Sequence, residues 1–373
     1  MSAAPLVLIA AGGTGGHLFP AESLAVALRR RGIRVALATD HRVGALAGSF
    51  PAEIVVEIAS ATPSGRSPLM MVKAGLVLAA GTLRAMLEVR RLKPAAVVGF
   101  GGYPTVPPLL AASLLGVPAA LHEQNGVMGR ANRFLAPRVA MIATGFAEVR
   151  GVPANASALR VHTGNPVRPA VLEAAASGYV PVMPGGKLRL LVFGGSQGAR
   201  IMSEIVPPAL ARLADDQRRR LVLTQQAREE DLAQVRAEYA RLGVSAEIAP
   251  FFKDLPQRIA DAHLVVGRSG ASTVAELAVI GRPSILVPLP GALDQDQAAN
   301  AASLGAIGAA VVIAQPEFTP DRLAREIAAR LEGPELLTAA AQAAKSAGIP
   351  DSAERLATAV VDLARVAARE TPR

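Results

Sequence analysis

Short runs rich in Val, Ile and Leu alternate with stretches of helical length along all 373 residues, and this alternation limits the fold most strongly. Each half of the chain has six such runs: "LVLIA", "RVALAT", "EIVVEI", "AAVVGF", "AALHE" and "AMIATG", then "RLLVFG", "RLVLT", "AEIAPF", "LVVGRS", "SILVPL" and "AAVVIA". Apolar strands separated by helices are typical of parallel sheets covered on both faces. The pattern therefore predicts an α/β protein with two doubly wound parallel-sheet domains.

Three segments of the first half have counterparts, in the same order, in the second half. The pairs are "GGTGGH" with "GGSQGA", "VVGFGGYPT" with "VVGRSGAST", and "GVPAAL" with "GRPSIL". Ordered matches of this kind indicate two related units. Pro and Gly gather in residues 162–189, so we place the domain boundary between residues 163 and 164.

A glycine-rich turn follows the first apolar run of each half, at residues 12–16 and 194–198. A turn that joins a strand to a helix presents backbone N–H groups at the positive end of the helix dipole, which favours an anion. Two facing domains of this kind would form a cleft lined by both turns. Leu18 stands where a dinucleotide fingerprint needs its third Gly or Ala, so the match to an NAD site is weak. The turns predict two phosphate-bearing ligands, one for each domain.

The positive charge of the chain is concentrated in its first half. The net charge is +9, and residues 1–163 hold 16 Lys and Arg against 7 Asp and Glu. Such an excess indicates an anionic partner: a phosphate-bearing substrate, a lipid surface or nucleic acid. Aromatic residues make up only 3% of the chain, and no basic and aromatic platform is evident, so nucleic acid ranks low. Cysteine is absent, which excludes disulfides and thiolate metal sites.

Two apolar segments raise the question of a membrane. Prolines divide residues 104–121 into a turn, a short helix and a strand, which argues against a transmembrane helix. Residues 66–93 combine an apolar face with six Lys or Arg residues, a composition typical of interfacial segments. An ordinary helix that packs on the core and exposes its charges explains this second segment about as well.

Several polar residues follow predicted strands directly. His17 comes after the first glycine turn, where it is either a proton acceptor or an ordinary residue at a helix start. "HEQN" at residues 122–125 follows a buried run, and "GRSGASTVAEL" at 267–277 can offer backbone N–H groups and a carboxylate at Glu276 for ribose hydroxyls. "DQD" from Asp294 has the form of a metal motif, but acidic residues at a helix start explain it equally well, and we assign no metal.

Together these motifs resemble the MurG family of N-acetylglucosaminyltransferases in peptidoglycan synthesis. The resemblance rests on "GGTGGH", "GFGGYPTVP", "HEQN" with Gly129 and Asn132, "GNPVR", "GGSQGAR", "GRSGASTVAEL" and "DQDQAANA". It implies a GT-B fold with two Rossmann-like domains. Residues 1–163 would bind the acceptor and the membrane, residues 164–349 would bind the donor, and the C-terminal helix, residues 350–373, would return to the first domain.

The resemblance also implies the reaction and its partners. GlcNAc would pass with inversion from UDP-GlcNAc to the C4 hydroxyl of MurNAc in lipid I, undecaprenyl-pyrophosphoryl-MurNAc-pentapeptide, without a cofactor and without nucleic acid. The first domain would attach peripherally to the anionic cytoplasmic face of the inner membrane.

The family's functional residues can be carried over by position. The expected donor contacts are Thr14, Gly15, Gly16, Asn125, Arg168, Ser196, Phe252, Ala271, Ser272, Thr273, Val274, Ala275, Glu276 and Gln297. Tyr103 and His122 are expected on the acceptor side, and His17 is the expected catalytic base with Glu123 in reserve. The chain has Asp296 where the family usually has His or Gln, and an ionised carboxylate cannot donate a hydrogen bond to the sugar.

Two alternatives remain open at this point. A UDP-GlcNAc 2-epimerase has the same architecture and needs no lipid acceptor. A nucleic-acid-binding module would use the basic first domain.

Overall fold

The apolar runs form the strands of two parallel sheets, one in each half of the chain. The structure is a computed structural model and describes residues 4–12, 15–40, 50–61, 68–195, 198–290 and 296–370. The chain divides into two compact units, residues 1–168 with 350–373, and residues 169–349.

The division falls after Arg168 rather than at the predicted boundary between residues 163 and 164. Asn165 explains why residues 164–168 stay with the first unit. Its Nδ2 atom donates to the Gln124 carbonyl at 2.8 Å, and its own carbonyl accepts a hydrogen bond from Ser352 Oγ at 2.9 Å.

Seven strands are described in the first unit: β1 (Leu6–Ala10), β2 (Arg34–Thr39), β3 (Ile54–Glu57), β4 (Ala96–Gly99), β5 (Ala119–Glu123), β6 (Met141–Thr144) and β7 (Leu159–His162). They form one parallel sheet in the order β3-β2-β1-β4-β5-β6-β7. The first six are the runs that the sequence predicts. The strand β7 was missed because its residues are exposed or half-exposed at the sheet edge and form no apolar run.

The described helices of this unit are α1 (Gly15–Arg30), α2 (Pro68–Leu92), α3 (Val106–Leu114), α4 (Arg130–Leu135) and, from the C-terminus, α14 (Ser352–Glu370). Alternate residues of β1 point to opposite faces of the sheet, as the strand geometry requires. Val7 and Ile9 join a core cluster with Leu24 of α1, and Leu6 and Leu8 join a second cluster on the other face. Both faces of the sheet are therefore covered.

The C-terminal helix α14 packs on α1. Leu356, Ala357 and Val360 are buried in the same cluster as the apolar face of α1. At the edge of this contact, Arg31 Nη2 lies 2.7 Å from Glu354 Oε2. The last helix of the chain thus belongs to the core of the first unit.

The described strands of the second unit are β8 (Leu188–Phe193), β9 (Leu221–Gln226), β10 (Ala246–Ala249), β11 (Leu264–Gly267), β12 (Ser284–Leu286) and β13 (Ala310–Val312). Its described helices are α5 (Pro169–Ala175), α6 (Arg200–Ala211), α7 (Asp215–Arg219), α8 (Leu232–Arg241), α9 (Leu255–Asp261), α10 (Ala271–Ile280), α11 (Asp296–Gly305), α12 (Pro320–Glu332) and α13 (Glu335–Ala347). The strands are parallel in the order β10-β9-β8-β11-β12-β13. This order repeats that of the first six strands of the chain, so the predicted pair of doubly wound sheets is confirmed.

Helix α2 exposes large apolar side chains. Leu76 and Leu83 are 67% and 66% exposed, and Met70, Met71, Val72 and Leu87 are also exposed. Residues 70–92 are long and apolar enough to cross a membrane by length and composition alone, but only 22% of the apolar window is buried in the protein. One side of this helix packs on the core through Ala85 and Val89, whereas the six side chains just named face solvent.

Candidate active site

His17 lies in the first turn of α1 beside the loop that follows β4. Its Nδ1 atom is 3.2 Å from Oε1 of Gln124, and the residue is half-buried. Gly101 and Gly102 have φ values of 83° and 71°, and a Cβ on either would lie 3.4 Å from an atom of the ring. Burial lowers the pKa of His17, while hydrogen bonds with Gln124 and the Phe100 carbonyl oppose this change. The ring is therefore neutral near pH 7 and able to accept a proton.

The turn before α1 approaches other loops closely. A Cβ on Gly12 would lie 3.1 Å from Pro104 and 3.2 Å from Asp40 Oδ1, so a larger residue would press on both. Gly15 and Gly16 begin α1 and are half-exposed and exposed. Their position at the positive end of the helix favours an anion. Thr14, the other predicted donor contact of this turn, lies outside the described residues.

His122 and Tyr103, both predicted on the acceptor side, differ in exposure. The ring of His122 is fully buried, stacks on Phe100 at 5.4 Å, and has its Nε2 atom 3.1 Å from the Gly164 carbonyl. Burial lowers the pKa of His122 to about 4, so the ring is neutral and donates from Nε2. Tyr103 begins a short 3₁₀ turn and is half-buried. The surface of this site thus includes Tyr103 but not the His122 ring, and the acceptor-side roles of both remain predictions.

Glu123 ends β5 and binds the loop that follows it. Its Oε1 atom accepts hydrogen bonds from the backbone and side-chain nitrogens of Asn125, at 2.9 and 3.4 Å. Its Oε2 atom accepts from the Gly129 backbone at 3.0 Å and from Asn132 Nδ2 at 2.8 Å. Burial raises the pKa of this carboxyl, and the four hydrogen bonds oppose that change. A carboxylate surrounded by four donors holds this loop in place, and its role as a reserve base remains a prediction.

Gln124 and Asn132 received no role from the sequence. Both side chains are buried, and a buried amide is costly unless it is hydrogen-bonded. For Gln124 the available signal was the polar run "HEQN" at the end of a buried strand, and Asn132 lies outside that run. Their partners, His17 and Glu123, lie in the same site, so the polar run supports the site instead of facing solvent.

Arg168 belongs to the first unit, although it was predicted within the donor domain. Its guanidinium carbon lies 4.5 Å from the centre of the Phe19 ring of α1. Glu22, one turn further along α1, has a pKa that burial raises and the charge of Arg168 lowers. Arg168 thus adds positive charge beside the helix that carries His17, and its contact with the donor remains a prediction.

In the second unit, the start of α10 resembles the start of α1. Gly270 precedes the helix, and Ala271, Ser272 and Thr273 are half-buried, so their N–H groups can reach a ligand. Glu276, one turn further, has 6% of its surface exposed. Val274 is buried and Ala275 is half-buried. The N–H groups of residues 271–273 therefore form an anion-favouring helix start, whereas Val274 N–H already donates to the Gly270 carbonyl at 3.0 Å.

Gln297 lies beside this helix start. Ser269 Oγ donates to the Gln297 carbonyl at 2.8 Å, and the Asn300 side chain donates to the Ser269 carbonyl at 3.2 Å. The Gln297 side chain accepts from the Leu289 backbone at 3.1 Å. Asp296, the first residue of α11, accepts the backbone N–H of Gln297 at 2.9 Å. The structure thus brings Gln297 close to the donor contacts predicted on α10, and Asp296 acts as an acidic residue at a helix start.

Arg268 supports the same loops, a role that was not predicted. It is 8% exposed and donates from Nη1 to the carbonyls of Val287 and Pro288, both at 3.1 Å. Its Nη2 atom donates to Gln315 Oε1 at 2.6 Å. An Arg directly after a buried strand, without an acidic neighbour in the sequence, was the only signal available.

Phe252 and Ser196 are the two remaining predicted donor contacts of the second unit. The side chain of Phe252 is only 7% exposed, with Arg258 4.2 Å above its ring, whereas the neighbouring Phe251 is 60% exposed. Contact of Phe252 with uracil therefore remains a prediction. Ser196 lies outside the described residues, as does Asp294 of the D-x-D sequence. Across the described residues, no group of three or more His, Asp or Glu side chains could hold a metal ion.

Comparison with known proteins extends these observations. Residues 7–144 match the model of the glycosyltransferase family 28 N-terminal domain, and residues 189–356 match that of the C-terminal domain. A relative from Methylobacterium sp. (strain 4-46) is 67% identical over 97% of this chain and 98% of its own length. That relative is named UDP-N-acetylglucosamine--N-acetylmuramyl-(pentapeptide) pyrophosphoryl-undecaprenol N-acetylglucosamine transferase.

A solved structure, that of Acinetobacter baumannii MurG, is 29% identical and covers 96% of this chain and 99% of its own, with a TM-score of 0.77. The chain belongs to the MurG family. The MurG fold is shared with other proteins: a putative UDP-N-acetylglucosamine 2-epimerase from Listeria monocytogenes covers 100% of this chain and 98% of its own at a TM-score of 0.65. That protein is only 15% identical, so the similarity concerns the fold alone.

Proposed function

We propose that the protein transfers GlcNAc from UDP-GlcNAc to the C4 hydroxyl of MurNAc in undecaprenyl-pyrophosphoryl-MurNAc-pentapeptide, with inversion at C1. The observation that carries the proposal is the 67% identity to the Methylobacterium transferase over 97% of this chain. The two anion-favouring helix starts and the neutral His17 would supply the groups that this reaction needs.

The second unit would hold the donor. The N–H groups at the start of α10 would bind the diphosphate, and Glu276 would accept hydrogen bonds from the ribose hydroxyls. Gln297, whose backbone carbonyl accepts a hydrogen bond from Ser269 just before this helix start, would contact the sugar. The remaining donor contacts are proposed from the family alone: Thr14, Gly15, Gly16, Asn125, Arg168, Ser196 and Phe252.

The first unit would bind the acceptor and supply the base. His17 would take the proton of the C4 hydroxyl as its oxygen attacks C1, while the bond from C1 to the diphosphate breaks. Such a transfer passes through an oxocarbenium-like state, and negative charge develops on the departing UDP. The N–H groups at the start of α10 would stabilise that charge. Glu123 already accepts four hydrogen bonds, which favours His17 over Glu123 as the base.

The first unit would also attach the protein to the membrane that holds the acceptor. Helix α2 exposes Leu76 and Leu83 and carries Arg84 and Arg91, whose side chains are each 58% exposed. Exposed apolar residues next to basic ones suit the surface of an anionic bilayer. We therefore propose peripheral attachment at the cytoplasmic face of the inner membrane.

Vesicle flotation tests this attachment. The wild type should float with vesicles rich in phosphatidylglycerol more than with phosphatidylcholine alone, and the double variant Leu76→Glu, Leu83→Glu should lose this binding. Leu336→Glu, which alters a 52% exposed leucine of the second unit, is the matched control. Equal flotation of wild type and double variant would contradict the proposal.

The reaction is tested by incubating the protein with UDP-GlcNAc, with and without a lipid I analogue, in buffer with and without EDTA. We expect UDP release only when the acceptor is present, together with a disaccharide product, and no effect of EDTA. Conversion of UDP-GlcNAc to UDP-ManNAc without acceptor would instead identify a 2-epimerase.

A further inference from the structure

The amide of Gln124 has only one orientation that satisfies its neighbours. Its Nε2 atom donates to the carbonyls of Phe100 at 2.9 Å and of His122 at 3.3 Å. A carbonyl oxygen accepts hydrogen bonds and cannot donate them, so rotating the amide by 180° would place oxygen against oxygen. The side chain is 3% exposed, and water cannot relieve such a clash. The Oε1 atom must therefore face His17.

This orientation determines which nitrogen of His17 carries its proton. Because Gln124 Oε1 only accepts hydrogen bonds, the contact of 3.2 Å requires a hydrogen atom on His17 Nδ1. In the neutral ring, Nε2 then has a free lone pair. A Cβ built on Gly102 would lie 3.4 Å from Nε2, which locates this atom beside the loop that follows β4.

We infer that Gln124 is a positioning residue, which holds His17 in the tautomer protonated at Nδ1 so that Nε2 receives the proton of the acceptor hydroxyl. This inference rests on the proposed function, in which His17 is the base. In a functional histidine, the hydrogen bond made by the ring nitrogen that does not react generally fixes the tautomer and the orientation in this way.

The partner of His17 Nδ1 is a neutral amide and not a carboxylate. A carboxylate beside Nδ1 stabilises the protonated imidazole and raises its pKa, whereas an amide orients the ring without adding charge. Burial already lowers the pKa of His17. The ring therefore starts the reaction neutral and oriented.

The main chain of Gln124 has a separate structural role. Its carbonyl accepts the hydrogen bond from Asn165 Nδ2 at 2.8 Å, which any residue at this position can do. Replacing the side chain therefore leaves this link between residues 124 and 165 intact. The variant Gln124→Met preserves size and burial but removes the acceptor for His17.

The test is direct observation of the tautomer by NMR of ¹⁵N-histidine-labelled protein, through long-range ¹H–¹⁵N correlations of the ring. The signals of His17 are identified by their loss in His17→Gln. In the wild type we expect the shift pattern of a protonated Nδ1 and an unprotonated Nε2. In Gln124→Met the ring should become a mixture of tautomers, and kcat should fall roughly 10- to 100-fold with little change in the KM of UDP-GlcNAc. Gln234→Met, on the exposed face of α8, is the control and should match the wild type.

Protonation of Nε2 in the wild type would overturn the inference, whether or not Gln124→Met folds. It would also be overturned if Gln124→Met folded and kept both the tautomer and kcat. A failure of the proposed function would look different, because the wild type would show the Nδ1 tautomer but transfer no sugar.

Discussion

Replacing Glu123 by Gln should destabilise the first unit as well as slow the reaction. The substitution keeps the size of the side chain but turns one carboxylate oxygen into an NH₂ group. At Oε1 that group would face two nitrogens of Asn125, and at Oε2 it would face the nitrogens of Gly129 and Asn132. Because both sides present donors, rotation of the new amide cannot restore the lost bonds.

The size of the effect follows from the bonds lost. Two hydrogen bonds to a charged acceptor contribute roughly 1.5–3 kcal/mol each, which gives an upper bound of about 6 kcal/mol. Removing the buried charge offsets part of this loss, so we expect the free energy of unfolding to fall by about 3 kcal/mol. The loop from Asn125 to Asn132 should also open more often.

Urea unfolding followed by far-UV circular dichroism measures the loss of stability, and hydrogen exchange of residues 124–132 measures opening of the loop. Glu57→Gln, the same change at an exposed residue of β3, is the control and should stay within about 0.5 kcal/mol of the wild type. The reasoning is refuted if Glu123→Gln keeps wild-type stability and exchange while kcat collapses. That result would instead identify Glu123 as the base.

Two further predictions concern other residues. His122 has an ordinary pKa in the unfolded chain and about 4 in the folded protein, so the unfolded state binds more protons between these values. The free energy of unfolding should therefore decrease by about 3 kcal/mol as the pH falls from about 6.5 to 4, because the unfolded chain takes up a proton at His122 and the folded protein does not. Urea unfolding of His122→Phe across this range should depend less steeply on pH than that of the wild type. An unchanged slope would contradict the burial argument. If Glu276 binds the ribose hydroxyls, Glu276→Gln should raise the Kd of UDP roughly 10-fold in calorimetry, whereas the exposed control Glu335→Gln should leave it unchanged. Equal affinity of Glu276→Gln and the wild type would exclude that contact.

The fold was largely predictable because buried parallel strands need apolar side chains on both faces. "LVLIA" became β1 and "LVVG" became β11 for this reason. The edge strand β7, with its exposed "LRVH", gave no such signal. The outward-facing leucines of α2 could not be recognised either, because composition does not tell which residues of a helix face the core.

The site was predictable only in part. The sequence identified "HEQN" as polar residues at a strand end, but the pairing of Gln124 with His17 joins residues that are 107 positions apart. They come into contact only in the folded unit, where the start of α1 lies beside the residue that follows β5. For the same reason the sequence did not distinguish the buried Phe252 from the exposed Phe251. Local pattern therefore singled out the polar run after β5, and tertiary packing determined which side chains contact one another.

The most direct measurement is NMR and mass spectrometry of the product formed by the purified protein from UDP-GlcNAc and a lipid I analogue. We expect one added GlcNAc, joined through a β linkage to O4 of MurNAc, with release of one UDP for each disaccharide. An unmodified acceptor, an α linkage or attachment at another hydroxyl would contradict the assignment of this chain as an inverting transferase that acts on O4 of MurNAc.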